Sequence, residues 1–189
     1  MGHLATERPF DKIIYMIKII SKRTLKLTNK IINQICLLKK SQWKEYSMKS
    51  QLQFFKKNYN PKDLHNCVYI NNTLVGYNSL KKRSIKIKSK NMNYFVFDSL
   101  IIKKNKRNLK LSSKIMKLSN KIIIKNKIIS VLMCEKKLIS FYKKYKWKKI
   151  DKKKIKLVDL KSNNTGMIFN EDIKDFINME KPVNIYLKK

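Results

Sequence analysis

YFVFDSLIIKKNKRNLKLSSKIMKLSNKIIIKNKIISVLMCEKKLISFYKKYKW, from Tyr94 to Trp147, decides the fold. Residues 94–102 are nearly continuously apolar, rich in β-branched and aromatic types, and interrupted by Asp98. That composition suits a strand buried on both faces. A basic and polar cluster follows at 103–108. Leu111, Ile115, Leu118 and Ile122 then repeat at steps of four, three and four, which is one face of a helix. Residues 128–134 form a second apolar strand. Leu138, Phe141, Tyr142 and Tyr145 again share helical spacing. Strand, crossover helix and strand make a βαβ unit, so the two strands are expected to be parallel neighbours.

These residues resemble the core of the GCN5-related N-acetyltransferases. In that family a central strand leads into a loop of pattern Arg/Gln-x-x-Gly-x-Gly/Ala at a helix N-terminus, whose amides hold the pyrophosphate of acetyl-CoA. Here the loop and helix are LIIKKNKRNLKLSSKIM, with Arg107 as the leading Arg, and VLMCEKKLISFYKKYKW is similar to the segment that follows. The two Gly positions carry Lys110 and Ser112. The resemblance spans roughly residues 64–150. It implies an α/β (α+β) acyl-CoA N-acyltransferase fold: a mixed, mostly antiparallel sheet of six or seven strands with about four helices. The second strand should splay from the first to admit the pantetheine arm.

The same resemblance implies acetyl-CoA as co-substrate, with no metal. Ile101 and Ile102 at the strand end, and Arg107, Asn108, Leu109, Lys110, Leu111, Ser112 and Ser113 in the loop and first helical turn, would hold it. Lys106 would add charge. Amides at a helix start bind phosphate, helped by the helix dipole; the competing reading is a solvated basic turn. Tyr142, from the Phe-Tyr pair, would protonate the departing thiolate; otherwise it is a core Tyr sharing a face with Leu138 and Tyr145. Asp98 is the base candidate, because desolvation raises a carboxylate's pKa toward a useful value. Glu135 is a weaker second base and a cap for the helix beginning near Lys136.

Composition sets the rivals. Of 46 basic residues only Arg8, Arg23, Arg83 and Arg107 are Arg, and the formal net charge is +34. Nucleic-acid readers enrich Arg for bidentate contacts. Evenly spread Lys with abundant Ile and Asn instead reads as a coding bias toward A/T-rich codons. A basic nucleic-acid-binding protein, whose binding would be salt-sensitive, is one alternative; an acyl-CoA-binding relic that has lost catalysis is another. The favoured acceptor is a small-molecule primary amine, attacked directly in a ternary complex. Cys36, Cys67 and Cys134 are far apart in sequence and odd in number, which argues against a disulfide framework or zinc site and for buried thiols in a reducing compartment. No apolar run is long enough to span a membrane, and a cytoplasmic location is expected.

Outside the core, residues 1–9 read as a disordered leader and 10–189 as a single acetyltransferase domain. A first strand is expected at 13–20. Thr28 and Asn29 are the candidate caps of a helix that buries Ile31, Ile35 and Leu38. A second helix follows with Met48, Leu52, Phe55 and Tyr59 on one side and ends before Pro61. Trp43, Tyr46, Phe54 and Phe55 either line the acceptor pocket or fill the core. Strands at 67–70 and 74–80 meet at Asn71-Asn72, a pair that tolerates positive φ. Gly76 marks a bulge or a close contact. A strand at 148–150 follows; strands at 156–160 and 165–169, joined by a turn at 162–164, are expected to complete the sheet, with a helix at 172–179 and a last strand at 183–187.

Overall fold

The computed structural model describes residues 16–87, 89–159, 163–171 and 182–187. The predicted leader, the helix at 172–179 and part of the turn at 162–164 lie outside these residues. The first strand, β1, is Ile17–Arg23. Helix α1, Asn29–Gln42, is capped by Thr28, whose hydroxyl accepts from the Ile31 amide. Helix α2, Met48–Asn58, is capped in the same way by Ser47. Strands β2 (Leu64–Ile70) and β3 (Thr73–Ile87) form a hairpin. Its two loop residues, Asn71 and Asn72, have φ of 47° and 62°, the paired positive values of a type I′ turn.

Strand β4 is Lys90–Ile102, longer at its start than the apolar run indicates. Helix α3 is Leu111–Lys125, β5 is Ile129–Glu135 and α4 is the short Ile139–Lys143. Then come β6 (Lys148–Lys149), β7 (Ile155–Val158), β8 (Asn164–Phe169) and β9 (Val183–Tyr186). The main sheet has seven strands in the order β1-β2-β3-β4-β5-β8-β6. Every pairing is antiparallel except β4 with β5. The strand number matches what the resemblance implied, and the parallel central pair matches the expectation from the βαβ pattern.

One expectation is corrected. The strand foreseen at 156–160 does not complete the main sheet, and neither it nor the last strand, foreseen at 183–187, belongs to it. They pair with each other, in parallel, as a separate two-stranded sheet. Ile155, Leu157 and Ile185 alternate along these strands, and with Leu187 they pack on Tyr94, Val96, Ile129 and Val131. They therefore cover one face of the main sheet instead of lengthening it. The same face, further along, is covered by α1 and α2, which bury Ile35, Cys36, Leu38 and Phe55 against Cys67, Tyr77 and Ile101. The opposite face carries α3 and α4, with Met116, Ile123 and Tyr142 against Leu80, Phe95, Phe97 and Leu132.

Two bulges shape the sheet. Val68 pairs with Gly76 and Tyr69 with Leu74, so Val75 is an extra residue in β3. A Cβ on Gly76 would lie 2.8 Å from Ile102 Cδ1 and 3.2 Å from Val68 Cβ, so both the bulge and the close-contact readings of this glycine hold. In β4, Asp98 pairs with Ser79 and Ile101 with Tyr77. Ser99 and Leu100 thus stand opposite Asn78 alone, with Ser99 at φ 62°. A bulge of this kind bends its strand and increases local twist.

Candidate active site

The β4 bulge coincides with the place where β4 leaves β5. The two strands pair only through Tyr94–Ile129, Phe95–Ser130 and Val96–Val131. Beyond Val96, β5 continues to pair with β8 as far as Glu135, while β4 continues against β3 as far as Ile102. A wedge opens between them.

Ile101 and Ile102 are both buried, Ile101 toward α1 and α2 and Ile102 toward Leu111 and Ile115 of α3. Only their main chain is placed to meet a ligand in the wedge. The Ile102 carbonyl accepts from Arg107 Nε at 3.3 Å. The basic cluster after β4 is a 3₁₀ turn, Lys104–Leu109. Arg107 lies within it, and its Nη2 donates to Gln42 Oε1 of α1 at 2.9 Å. The guanidinium therefore ties the turn to α1 as well as standing beside the start of α3. Asn108 is exposed, and Leu109 packs partly against the α3 end of the core.

Lys110 has φ 52° and ψ 25°, the left-handed region. The backbone keeps a conformation that glycine adopts without strain, although the residue is not glycine. Helix α3 starts at the next residue, with no side-chain cap and no acidic residue in its first turn. The amides of Leu111, Ser112 and Ser113 have no intrahelical acceptors by geometry. Ser113 Oγ lies 2.6 Å from Tyr145 Oη, which joins the end of α4 to this turn.

Tyr142 is buried and packs edge-on to Phe97 of β4 and near Trp147. Burial, with smaller contributions from the Cys134 thiol and the Asp98 carboxylate, pushes its phenol well above the ordinary range. Cys134 sits on β5 and Asp98 on β4, the two strands that part beyond Val96, and the Tyr142 ring belongs to the core cluster of Leu80, Phe97, Met116 and Trp147. Cys134 is itself buried, and burial with the nearby Glu135 raises its thiol. The Glu135 carboxylate pairs with Lys137 at 2.6 Å and does not cap the following turn, which corrects that expectation.

Asp98 differs most from expectation. Burial pushes its carboxyl up, but the charges of Lys81 and Lys39, with hydrogen bonds from Lys81 and Ser99, together outweigh this and hold it below the ordinary carboxylate range. Lys81 Nζ is 2.6 Å from Asp98 Oδ2. The carboxylate is thus a paired anion, not a desolvated base of raised pKa, and the cause is a lysine on the neighbouring strand. Both lysines are buried on the sheet face covered by α1 and α2. Lys39 Nζ sits 4.6 Å from the Phe54 ring centroid, with Tyr59 and Trp43 slightly farther away. Lys81 Nζ sits over Tyr59 and Phe54 as well. Of the four aromatics foreseen on these helices, Phe55 is core, Phe54 and Trp43 flank the lysines, and Tyr46 is exposed.

Neither lysine was singled out from the sequence, though periodicity carried a signal. Lys39 is four residues after Ile35, in phase with the buried stripe of α1. Lys81 alternates with Tyr77 and Ser79 on β3. Beneath them runs a buried polar chain. Thr24 Oγ1 is 2.9 Å from His65 Nε2, and His65 Nδ1 is 2.8 Å from Tyr77 Oη. Tyr77 and Ser79 each lie 3.3 Å from Tyr59 Oη, and Ser79 Oγ donates to the Asp98 carbonyl. Burial, reinforced by Lys39 and Lys81, pushes the His65 imidazole down to about 3.

A cavity of about 770 Å³ opens elsewhere, lined by Lys62, Lys82, Arg83, Asp159 and Tyr186 among others. None of these residues borders the wedge, so volume alone does not locate the chemistry. Among the described residues, no group of His, Cys, Asp and Glu is arranged to hold a metal ion, and no helix is long and apolar enough to cross a membrane.

No protein-family model matches the sequence, and no curated protein matches it. Solved structures do match. Escherichia coli ElaA superposes with a TM-score of 0.62 at 13% identity, covering 81% of this chain and 99% of that one. An acyl-CoA N-acyltransferase from Pseudomonas aeruginosa gives 0.60 at 14% identity, covering 80% and 98%. An aminoglycoside 6'-N-acetyltransferase complexed with coenzyme A gives 0.59 at 11% identity, covering 79% and 96%. The chain has the GCN5-related N-acetyltransferase fold.

Proposed function

We propose that the protein is an N-acetyltransferase that transfers the acetyl group of acetyl-CoA to a primary amine of a small molecule, by direct attack in a ternary complex. The observation that carries this reading is the wedge between β4 and β5, with the uncapped start of α3 following the end of β4. An uncapped helix start with basic neighbours and no acidic ones suits a pyrophosphate. Leu111, Ser112 and Ser113 would hold it through their amides, with Asn108 and Leu109 shaping the approach and Arg107, Lys106 and Lys110 adding charge. The open edge of β4 near Ile101 and Ile102 would pair with the amide groups of the pantetheine arm.

In this reading the acceptor enters from the α1–α2 side. Asp98, kept ionised, orients its ammonium, and the proton is lost to water. The free amine attacks the thioester carbonyl carbon and the carbon–sulfur bond breaks. Tyr142 donates its hydroxyl proton to the departing sulfur. The nitrogen, cationic once it has attacked, sheds its second proton; burial and the neighbouring Asp98 charge disfavour the phenolate, so that proton, relayed by water, restores Tyr142. No covalent acyl-enzyme is needed; Cys134 stays a buried thiol.

The test is calorimetric titration with acetyl-CoA, followed by thiol release with a panel of amines. Binding with turnover is expected. Binding without turnover on any amine would leave a non-catalytic CoA-binding protein. Absence of binding, with salt-sensitive affinity for duplex nucleic acid, would replace the reading by the basic-surface one.

A further inference from the structure

Building on the acetyl-transfer reading, we infer that the acceptor amine also carries an oxyanion, a carboxylate or a phosphate, which seats on Lys39. Lys39 is only 5% exposed. Its ammonium is surrounded by the rings of Phe54, Tyr59 and Trp43. The ion pairs among the described residues are Lys81–Asp98, Arg83–Asp63, Lys137–Glu135 and Lys148–Glu171, and Lys39 belongs to none of them. Asp98 is near enough to be acidified by Lys39, but its carboxylate is already paired with Lys81 at 2.6 Å.

Burying an ammonium is unfavourable without a partner, and aromatic faces offset only part of that loss. Two lysines and one aspartate leave this buried cluster with one positive charge in excess. His65 adds nothing to it near neutral pH, since its imidazole titrates at about 3. A simple amine arrives as a second cation and a diamine as two, and each meets like charge in a poorly hydrated site. An amine that brings its own oxyanion cancels the excess and gives Lys39 a charge-assisted hydrogen bond. The same positive field favours loss of the acceptor's ammonium proton. That removes the need for a carboxylate base, in accord with the low pKa of Asp98.

The experiment compares thiol release from acetyl-CoA with the common α-amino acids, their α-carboxamides, O-phosphoethanolamine and putrescine. The best acid or phosphate should exceed its uncharged analogue by about 10–100-fold in kcat/KM, the range of one charge-assisted contact. Amino acids ahead of O-phosphoethanolamine identify the oxyanion as a carboxylate; the reverse order identifies it as a phosphate. Lys39→Met, which keeps an aliphatic stem, should erase the preference mainly through KM, and Lys39→Arg should retain it. Carboxamides or putrescine used as well as the acids by the wild type would overturn the inference, as would a preference unchanged in Lys39→Met. Should Lys39→Met not fold, the wild-type ranking and Lys39→Arg decide. If acetyl-CoA binds and no acceptor reacts, L-glutamate and O-phosphoserine are titrated into CoA-saturated protein. Binding lost in Lys39→Met upholds the inference, and no binding overturns it. Failure of acetyl-CoA itself to bind is a separate result and removes the acetyl-transfer reading with everything built on it.

Discussion

Asp98 and Lys81 lie diagonally across β4 and β3 on one face of the sheet, with Oδ2 2.6 Å from Nζ. The aspartate side chain is 34% exposed, so the pair is shielded on the lysine side and wetted on the other. Lys81 is raised: burial lowers it, and Asp98 together with Tyr59 more than restores it. A lowered carboxyl contributes stability that is complete above its unfolded pKa, about 3.9, and is lost as pH falls toward the folded value. The raised lysine contributes stability below about pH 10.4, lost as pH rises further. Asp98→Asn should cost about 1–3 kcal/mol at neutral pH by leaving Lys81 unpaired. Its loss relative to wild type should shrink below about pH 4. Denaturant melts across pH measure both.

His65 gives a different acid window. Its imidazole is neutral in the fold, titrating at about 3, and in the unfolded chain it gains a proton near 6.5. The unfolded state therefore binds more protons between these values, and stability falls as pH drops through that interval. The slope approaches about 1.4 kcal/mol per pH unit. His65→Gln should be less stable at pH 8 but flatter between pH 6 and 4. An unchanged slope there would show that another group controls acid unfolding.

Lys110 holds a left-handed backbone at a cost of about 1–2 kcal/mol relative to glycine, part of which glycine returns through its floppier unfolded chain. Lys110→Gly should raise stability by about 0.5–1 kcal/mol, and Tm by about 2–4 °C per kcal/mol for a chain of this size. Acetyl-CoA affinity should stay equal or rise. A clear loss would mean that the lysine side chain itself grips the ligand.

Arg107 already spends donors on Gln42 and on the Ile102 carbonyl, yet a guanidinium has five. Arg107→Ala should weaken acetyl-CoA binding by about 1.5–3 kcal/mol, and Gln42→Ala by much less. Equal effects of the two changes would assign Arg107 to holding α1 against the turn. Calorimetry on both variants decides.

Tyr142→Phe keeps the ring against Phe97 and Trp147 while removing the donor. Turnover should fall about 10²–10⁴-fold, with Tm and acetyl-CoA affinity unchanged. Wild-type rates in the variant at every pH would leave water, or the acceptor, as the proton source for the thiolate.

Where the pattern was local and periodic, reading it was enough. The β4–α3–β5 unit, its parallel pairing, the Thr28 cap and the Asn71-Asn72 turn all follow from residue spacing within one or two elements. What escaped was set by partners far apart in the chain. Lys39 and Lys81 look like solvated charges among 46 basic residues, and only the packing of α1 and α2 over β3 buries them. The lowered pKa of Asp98 depends on that burial. The small second sheet escaped for a related reason: an apolar alternation says that a strand needs covering, not whether it will do the covering itself.

The buried chain from Thr24 to Asp98 has a direction. A neutral imidazole carries one ring proton. With that proton on Nδ1, His65 donates to Tyr77, which donates to Tyr59, which donates to Ser79, which donates to the Asp98 carbonyl. Thr24 then donates to Nε2. With the proton on Nε2, His65 donates to Thr24, which can turn to the Asp63 carbonyl, and Tyr77 must donate back to Nδ1. Tyr59 is then released to donate to Tyr77 in its turn. The tautomer of one histidine thereby sets which way the Tyr77 hydroxyl points, and whether Tyr59 is free to turn from Ser79 to Tyr77, without any change in net charge.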